Sequence, residues 1–250
     1  MESAVRKTLL DAVADHSAII EDIHLFEHWV VIRAGKFEMS TRFAACDAPY
    51  RQSHETWVGD LIGKNAAKVA EEFLASTDVL RIAVGMACLK CVLPTVAGSA
   101  TGSAMDFFHD AIREKATCFI GHFAQAARYR EEGYPVDIIE LSPRPGDIHW
   151  NCSRKVLGRA RLVFMTGLTL VNGTFGEVID RTPCAETRIV MGPTVPMTPS
   201  LFKLGVHWLG TTNILNIEAA LHYFRMGGGS VMYAPEGALQ KVNLPNKLAR

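Results

Sequence analysis

The chain lacks an excess of charge of either sign, a membrane-length apolar run and a regular cysteine framework, and each absence narrows the reading. Its 250 residues carry 26 basic against 26 acidic side chains. That balance offers no basic footprint for nucleic acid and no polybasic anchor for a membrane surface. The most hydrophobic run, Val79 to Gly98, is interrupted by Arg81, Lys90 and Pro94, so it reads as a buried helix and not as a span. The first residues carry acids early and no continuous apolar segment, unlike a secretory leader. The expectation is a cytoplasmic protein with neither a nucleic-acid nor a membrane partner.

Six cysteines, at 46, 88, 91, 118, 152 and 184, are scattered without regular spacing. In a reducing compartment they are expected to be thiols, mostly buried. Cys88 and Cys91 form a CxxC, a pattern that serves redox chemistry or metal binding. It falls inside a helical pattern, and no second pair stands at zinc-site spacing, so a core role is preferred. Signatures of hydrolysis are also missing. There is no G-x-S-x-G elbow, no Walker A loop, no H-E-x-x-H and no repeated Asp/Glu-Gly ion loop.

What is present is an α/β pattern built around Thr117 to Glu140. A short apolar strand, Cys118 to Ile120, ends in Gly121; a helix-period run follows; Gly133-Tyr134-Pro135 breaks it; a second strand, Val136 to Ile139, ends in Glu140. A glycine at one strand end and an acid about 20 residues on, at the next, is the spacing of a ribose-binding Rossmann-like fold. The dinucleotide fingerprint itself fails. At its three glycine positions stand Gly121, Phe123 and Ala126, and a side chain at the second position obstructs a pyrophosphate.

Before this unit, Val5, Leu9 and Val13 mark an amphipathic helix over residues 3 to 15. An antiparallel meander follows. Ile20 to Arg33 supplies two strands, Ala34-Gly35 the turn, and the alternation Phe37, Met39, Thr41, Phe43 the third. Cys46 to Thr56 reads as a loop, and two helices, Val58 to Ala75 and Asp78 to Val92, come next with cap residues at Ser76-Thr77-Asp78. Pro94 to Ser103 is rich in small residues and breakers, which sets a boundary between an α+β domain over 1–98 and a second domain over 104–250. After a short helix, Ala104 to Lys115, strands are expected at 117–120, 136–140, 161–166, 187–191 and 205–210. Helices are expected near 123–132, 152–158, 174–181, 198–204 and 217–226, and the alternation implies a parallel sheet covered by helices. Residues 230 to 250 lack strong periodicity, and either dock back or fray.

Four strand ends carry small or turn residues: Gly121-His122, Thr166-Gly167, Gly192-Pro193 and Gly210-Thr211. Ligands bind open parallel sheets outside the carboxyl ends of the strands, where strand order reverses. With an order of 3-2-1-4-5, the loops beginning Gly121-His122-Phe123 and Gly192-Pro193-Thr194 are expected to face one another. Glycine also ends many strands simply because the turn is tight. Asn172-Gly173-Thr174 precedes a helix, and Thr174 with Glu177 makes a capping box whose free N–H groups could also hold an anion. Thr198-Pro199 is read as a structural cap. His122 is the histidine, among nine, that sits where the fold argument places a site; neutral imidazole could serve as general base or metal ligand. Glu140 could accept ligand hydroxyls or coordinate a metal.

At these loops the sequence resembles the putative heavy-metal chelation domain family. The residues that carry the resemblance are Gly121-His122-Phe123, Glu140 with Pro143, Thr166-Gly167, Asn172-Gly173-Thr174 and Gly192-Pro193-Thr194-Val195-Pro196, in the family's order and at similar intervals. It is good over about residues 115–229 and weaker over the first hundred. The last motif departs from the family's Ser-Thr between two prolines, keeping one hydroxyl, at Thr194, and losing the other, at Val195. The resemblance implies an enolase N-terminal-like domain followed by a Rossmann-like domain, with a site in the cleft between them and a role tied to metals or their small-molecule chelates.

The leading expectation is therefore a protein that binds a small polar or anionic ligand, a heavy metal or metal chelate, through Gly121, His122, Phe123, Glu140, Thr166, Gly167, Asn172, Gly173, Thr174, Gly192, Pro193 and Thr194. The sequence assigns no cofactor; a divalent or heavy metal ion is the candidate, with His122 and Glu140 as candidate ligands. The alternative is an enzyme using a nucleoside-containing cofactor, S-adenosylmethionine or a nicotinamide nucleotide, bound through Glu140. A third reading is a scaffold that acts by self-association, in its simplest form a homodimer.

Overall fold

A computed structural model describes residues 1–42, 56–96 and 100–246. The chain opens with helix α1 (Ser3–Asp11), which buries Val5 and Leu9, while Val13 is buried in the turn beyond its end. The meander follows as β1 (Asp22–Leu25), β2 (Trp29–Ala34) and β3 (Lys36–Thr41), a three-stranded antiparallel sheet in the order β1-β2-β3. Gly35, at φ 73°, makes the tight turn between the last two. Most of the loop expected at Cys46–Thr56, with the Phe43 end of the third strand, lies outside the described residues.

The helix expected at Val58–Ala75 is two elements. Thr56–Leu61 is a 3-10 turn, Gly63 takes φ 84°, and α2 (Ala66–Phe73) starts only after Asn65, whose side chain accepts from the N–H groups of Ala67 and Lys68. A left-handed residue followed by an N-cap cannot lie inside one helix, and this local chemistry overrides the apolar period. Helix α3 (Val79–Val92) is capped by Asp78, as its sequence predicts, and is buried nearly all round. It packs on α2, β2 and β3 and belongs to the same apolar cluster as Val163, Met165 and Val190 of the larger sheet. One core therefore joins the meander to that sheet.

The second sheet has eight strands: β4 (Ala100–Thr101), β5 (Thr117–Ile120), β6 (Val136–Glu140), β7 (Ile148–His149), β8 (Leu162–Thr166), β9 (Thr187–Met191), β10 (Trp208–Ile214) and β11 (Leu239–Pro245), in the order β4-β11-β10-β9-β8-β5-β6-β7. The six strands from β7 to β10 are parallel, and by chain rank they run 3-2-1-4-5-6, the doubly wound Rossmann order. Helices α4 (Ala104–Phe107) and α5 (His109–Glu114) replace the single helix expected at 104–115, and α6 (Ala124–Glu131), α7 (Arg154–Arg159), α8 (Leu168–Asn172), α9 (Phe175–Arg181) and α10 (Ile217–Arg225) complete the set among the described residues. Residues 199–204 form a 3-10 turn capped by Thr198, whose hydroxyl accepts from the Ser200 N–H. As far as residue 246 the tail docks back: β11 pairs antiparallel with β10 over seven residues and shields it from the sheet edge.

The placement of the fourth parallel strand corrects an expectation. A two-residue strand, β7, is the third in rank, so β8 is the fourth and the strand ending at Gly192 the fifth. The loop after Gly121 therefore lies beside the loop beginning Thr166-Gly167, and Gly192 sits one strand further out. A strand as short as β7 has no period to detect. The capping box at Thr174 is also absent. Its hydroxyl donates to Asn172 at 2.8 Å and caps nothing; instead the Glu2 carboxylate, from the start of the chain, accepts the Gly176 N–H at 2.9 Å. An acid at that helix end suits its free N–H groups and its dipole.

Candidate functional site

The site is best built outward from Gly121. Strand β5 ends there at φ 103°, its N–H held by the Ile139 carbonyl at 2.9 Å. A Cβ at this glycine would come within 3.0 Å of Thr166 Cγ2, so the reversal in strand order is packed too tightly for any larger residue. Phe123, which stands where a fingerprint glycine would be, packs its ring on Phe119 at 5.9 Å and leads directly into α6.

His122, between them, is 3.6 Å through Nδ1 from Asp147 Oδ2. That is too long for a hydrogen bond, and Nδ1 is buried with no other partner. The Asp147 side chain is fully buried and firmly held: Arg130 Nη1 donates to Oδ1 at 2.8 Å and to the Gly146 carbonyl at 2.7 Å, while the Arg144 N–H donates to Oδ2 at 3.1 Å. Burial pushes the Asp147 carboxyl up, but the hydrogen bonds from Arg130 and Arg144 and the charges of Arg130 and His122 outweigh it and hold the group below its ordinary value. Asp147 is thus a fixed anion behind the imidazole, which leaves Nε2 as the ring nitrogen available for a ligand. The turn Arg144-Pro145-Gly146-Asp147 that creates it stands plainly in the sequence, but pairing it with His122 requires the fold.

His122 and Phe123 form the partition between two cavities. The first, of about 340 Å³, is a crevice over β5, β6 and β8 lined by Gly121, His122, Phe123, Glu140, Arg144, Trp150, Thr166, Thr169, Asn172 and Thr174, among others. Glu140 accepts the Leu141 N–H at 3.2 Å, and Asn172 Oδ1 accepts from both the N–H and the hydroxyl of Thr174, at 3.1 and 2.8 Å. Seven of the twelve expected ligand residues meet in this crevice. The second cavity, of about 260 Å³, lies under Trp29 of the meander and is lined by Ser103, His122, Phe123, Gly192, Pro193, Lys241 and Asn243, with others. The expected single cleft is therefore two compartments, with Gly192 and Pro193 in the second.

Three expected residues reach neither compartment. Thr194 is buried, and its hydroxyl accepts the Thr41 N–H at 3.0 Å, tying the β9 loop to the meander. Gly167 lies where a Cβ would come within 2.7 Å of Val195 Cγ2, so Val195 is a packing residue. Gly173 is the left-handed terminus of α8 at φ 78°. Among the described residues no group of three or more His, Cys, Asp and Glu side chains gathers as a metal site; His122 and Glu140 share the crevice but recruit no third donor of those types. Cys88 and Cys91 are buried in α3, and burial raises both thiols, Cys91 to about 12 with the Glu38 charge adding to the effect.

Lys90, one residue before Cys91, carries no sequence signal and proves structurally central. It is 3% exposed; its ammonium donates to the carbonyls of Met39 at 2.8 Å and Pro193 at 2.6 Å and lies 3.2 Å from Glu38 Oε2. Lys36 holds the other Glu38 oxygen at 3.1 Å. This buried cluster, at the edge of a third cavity of about 380 Å³, joins the meander to the loop after β9.

A doubly wound, Rossmann-like α/β protein with cavities at the carboxyl edge of its parallel sheet is the class these features define. The chain belongs to the DUF364 family, described as putative heavy-metal chelation, whose profile matches residues 103–243. It is 26% identical over 193 residues to an uncharacterized protein, MJ0500, of Methanocaldococcus jannaschii, a match covering 72% of this chain and 73% of that one. Two solved DUF364 structures of unknown function share the fold. One, from Desulfitobacterium hafniense, has a TM-score of 0.79 at 20% identity and covers 97% of each chain. The other, PH1506 of Pyrococcus horikoshii, has a TM-score of 0.73 at 17% identity and covers 96% of this chain and 98% of its own. No helix among the described residues is long and apolar enough to cross a membrane.

Proposed function

We propose that the protein binds a small polar metal chelate in the crevice between Gly121, Glu140 and Thr166, with His122 Nε2 and a Glu140 oxygen as the donors the chain supplies. The observation that carries this reading is His122 set against a buried, arginine-held Asp147 at the strand-order reversal. The Asp147 charge 3.6 Å from Nδ1 favours the tautomer protonated on that nitrogen, which leaves the Nε2 lone pair as the donor. Two donors do not complete a four-coordinate ion. The remaining positions fall to the ligand's own donors, which is why a chelate is preferred over a bare ion. Asn172, Thr174 and Arg144 would meet its polar groups.

Calorimetric titration of a divalent metal, with and without a carboxylate chelator, tests this. Binding that strengthens with the chelator and is lost in both His122→Ala and Glu140→Ala supports the reading. Absence of heat, or heat unchanged in those variants, removes it. A second reading, a nucleoside-containing cofactor, is favoured by Glu140 at the end of β6 in a 3-2-1-4-5-6 sheet. A thermal-shift series of nucleotides and S-adenosylmethionine decides it, since a ligand at a hundred times its Kd raises stability by roughly 2.7 kcal/mol.

A further inference from the structure

We propose that the third cavity, of about 380 Å³ between the meander and the larger sheet, binds a small zwitterion: an α-amino acid with an apolar side chain. Lys36 and Glu38 are two residues apart on β3 and so share a face. That face lines the cavity together with Lys90 of α3. Taking these charges out of water costs stability that an apolar trio of the same size would not. What they provide instead is hydrogen-bonding capacity at the wall that the protein leaves unfilled. Lys90 has none to spare, since its ammonium is used by the Met39 and Pro193 carbonyls and by Glu38. Glu38 is different. A carboxylate accepts at about four positions, and among the described residues only the two ammonium groups occupy it. Lys36 donates to Glu38 and to the Leu93 carbonyl, each at 3.1 Å, which leaves one N–H. Neither group is sealed from solvent, the Lys36 side chain being 37% exposed and that of Glu38 11%.

A free acceptor and a free donor therefore stand side by side on one wall. A simple carboxylate would face the Glu38 charge, and a simple amine the Lys36 charge. An α-amino acid carries both groups on one carbon, so its ammonium meets Glu38 and its carboxylate meets Lys36. The rest of the lining is mostly apolar, with Leu93, Met197, Ile214 and Ile217 in it, and Asn213 adds an amide that donates and accepts. An apolar hollow of a few hundred Å³ with a few polar groups, at a junction of two sheets, is the usual form of a small-molecule site. It has no lining residue in common with the crevice at Gly121, so binding here is independent of the chelate reading.

Titration calorimetry of the full chain with L-leucine tests this, beside probes that each lack one feature: isocaproate without the ammonium, leucine amide without the carboxylate, and glycine without the apolar chain. Saturable binding of L-leucine is expected. Each of the other probes should bind about tenfold more weakly or worse, through loss of a hydrogen bond to a charged group or of side-chain burial. This series is read on the wild type, so it does not depend on any variant folding. Lys36→Met, at a half-exposed position, should weaken leucine about tenfold and shrink its lead over leucine amide, because the partner of the carboxylate is gone. Absence of saturable heat with leucine overturns the proposal. So does isocaproate, leucine amide or glycine binding as tightly as leucine, or an unchanged lead of leucine over its amide in Lys36→Met.

Discussion

The two compartments on either side of His122 and Phe123 are of similar size but opposite character. The crevice over β5, β6 and β8 offers a carboxylate, an amide and hydroxyls, with Arg144 at its rim. The compartment under Trp29 has Lys241, Asn243 and the start of α6 on its wall and, among the described residues, no acid. One loop, Gly121-His122-Phe123, borders both because strand order places Thr166 on one side of it and the meander on the other.

The comparison can be broken at several points. The largest effect is expected from Lys90→Met, which leaves Glu38, among the described residues, with Lys36 as its one ionic partner and frees the Pro193 carbonyl on the wall of the Trp29 compartment. A loss of about 3 kcal/mol, read from urea unfolding, follows from removing one member of a buried ionic cluster. His122→Ala comes next; because it removes the proposed metal donor outright, its cost in chelate affinity should exceed the roughly 10–100-fold that loss of an outer partner causes. Asp147→Asn, which removes the charge beside the ring and keeps the proposed donor, should cost less, about tenfold. A loss as large as that of His122→Ala contradicts this ranking.

The smallest effect is in pH. The Asp147 carboxyl is held below its unfolded value of about 3.9. Its contribution is therefore complete above that value and is lost as pH falls through the lower folded one. The stability difference between wild type and Asp147→Asn, followed by urea midpoints, should be constant from pH 7 to 5 and shrink below about 4; a difference that grows on acidification contradicts the arrangement around Arg130.

Much of the frame was legible because it rests on local chemistry. The β5-α6-β6 unit follows from an apolar run, a glycine and a turn; the third strand of the meander follows from alternation at Phe37, Met39 and Thr41, although the fold buries Glu38 and Ser40 of its other face as well; and Asp78 caps α3 as its side chain dictates. What escaped was short or long-range. β7 has two residues and α8 five, too few to show a period, and missing β7 misplaced the strand-order reversal by one strand. β11 pairs along its whole length, but its consecutive residues Val242, Asn243 and Leu244 are all buried, so no exposed–buried alternation marks it. The candidate site divides the same way. Gly121, His122 and Glu140 were marked by strand-end position, whereas Asp147 behind His122, Lys90 under Pro193 and Glu2 on α9 act across 25 to 174 residues of chain, where no spacing rule reaches. The Thr194 hydroxyl, visible in the sequence as a polar group in a strand-end loop, is taken up by the Thr41 backbone N–H in the fold.

The most direct measurement of the central claim is a crystal of the chain soaked with a divalent metal and a carboxylate chelator, and an anomalous difference map at the metal edge. The account predicts a peak in the crevice about 2.0–2.2 Å from His122 Nε2 and a Glu140 oxygen, with the chelator's own atoms filling the remaining positions. A peak bound away from both residues, or an empty crevice at saturating chelate, contradicts it.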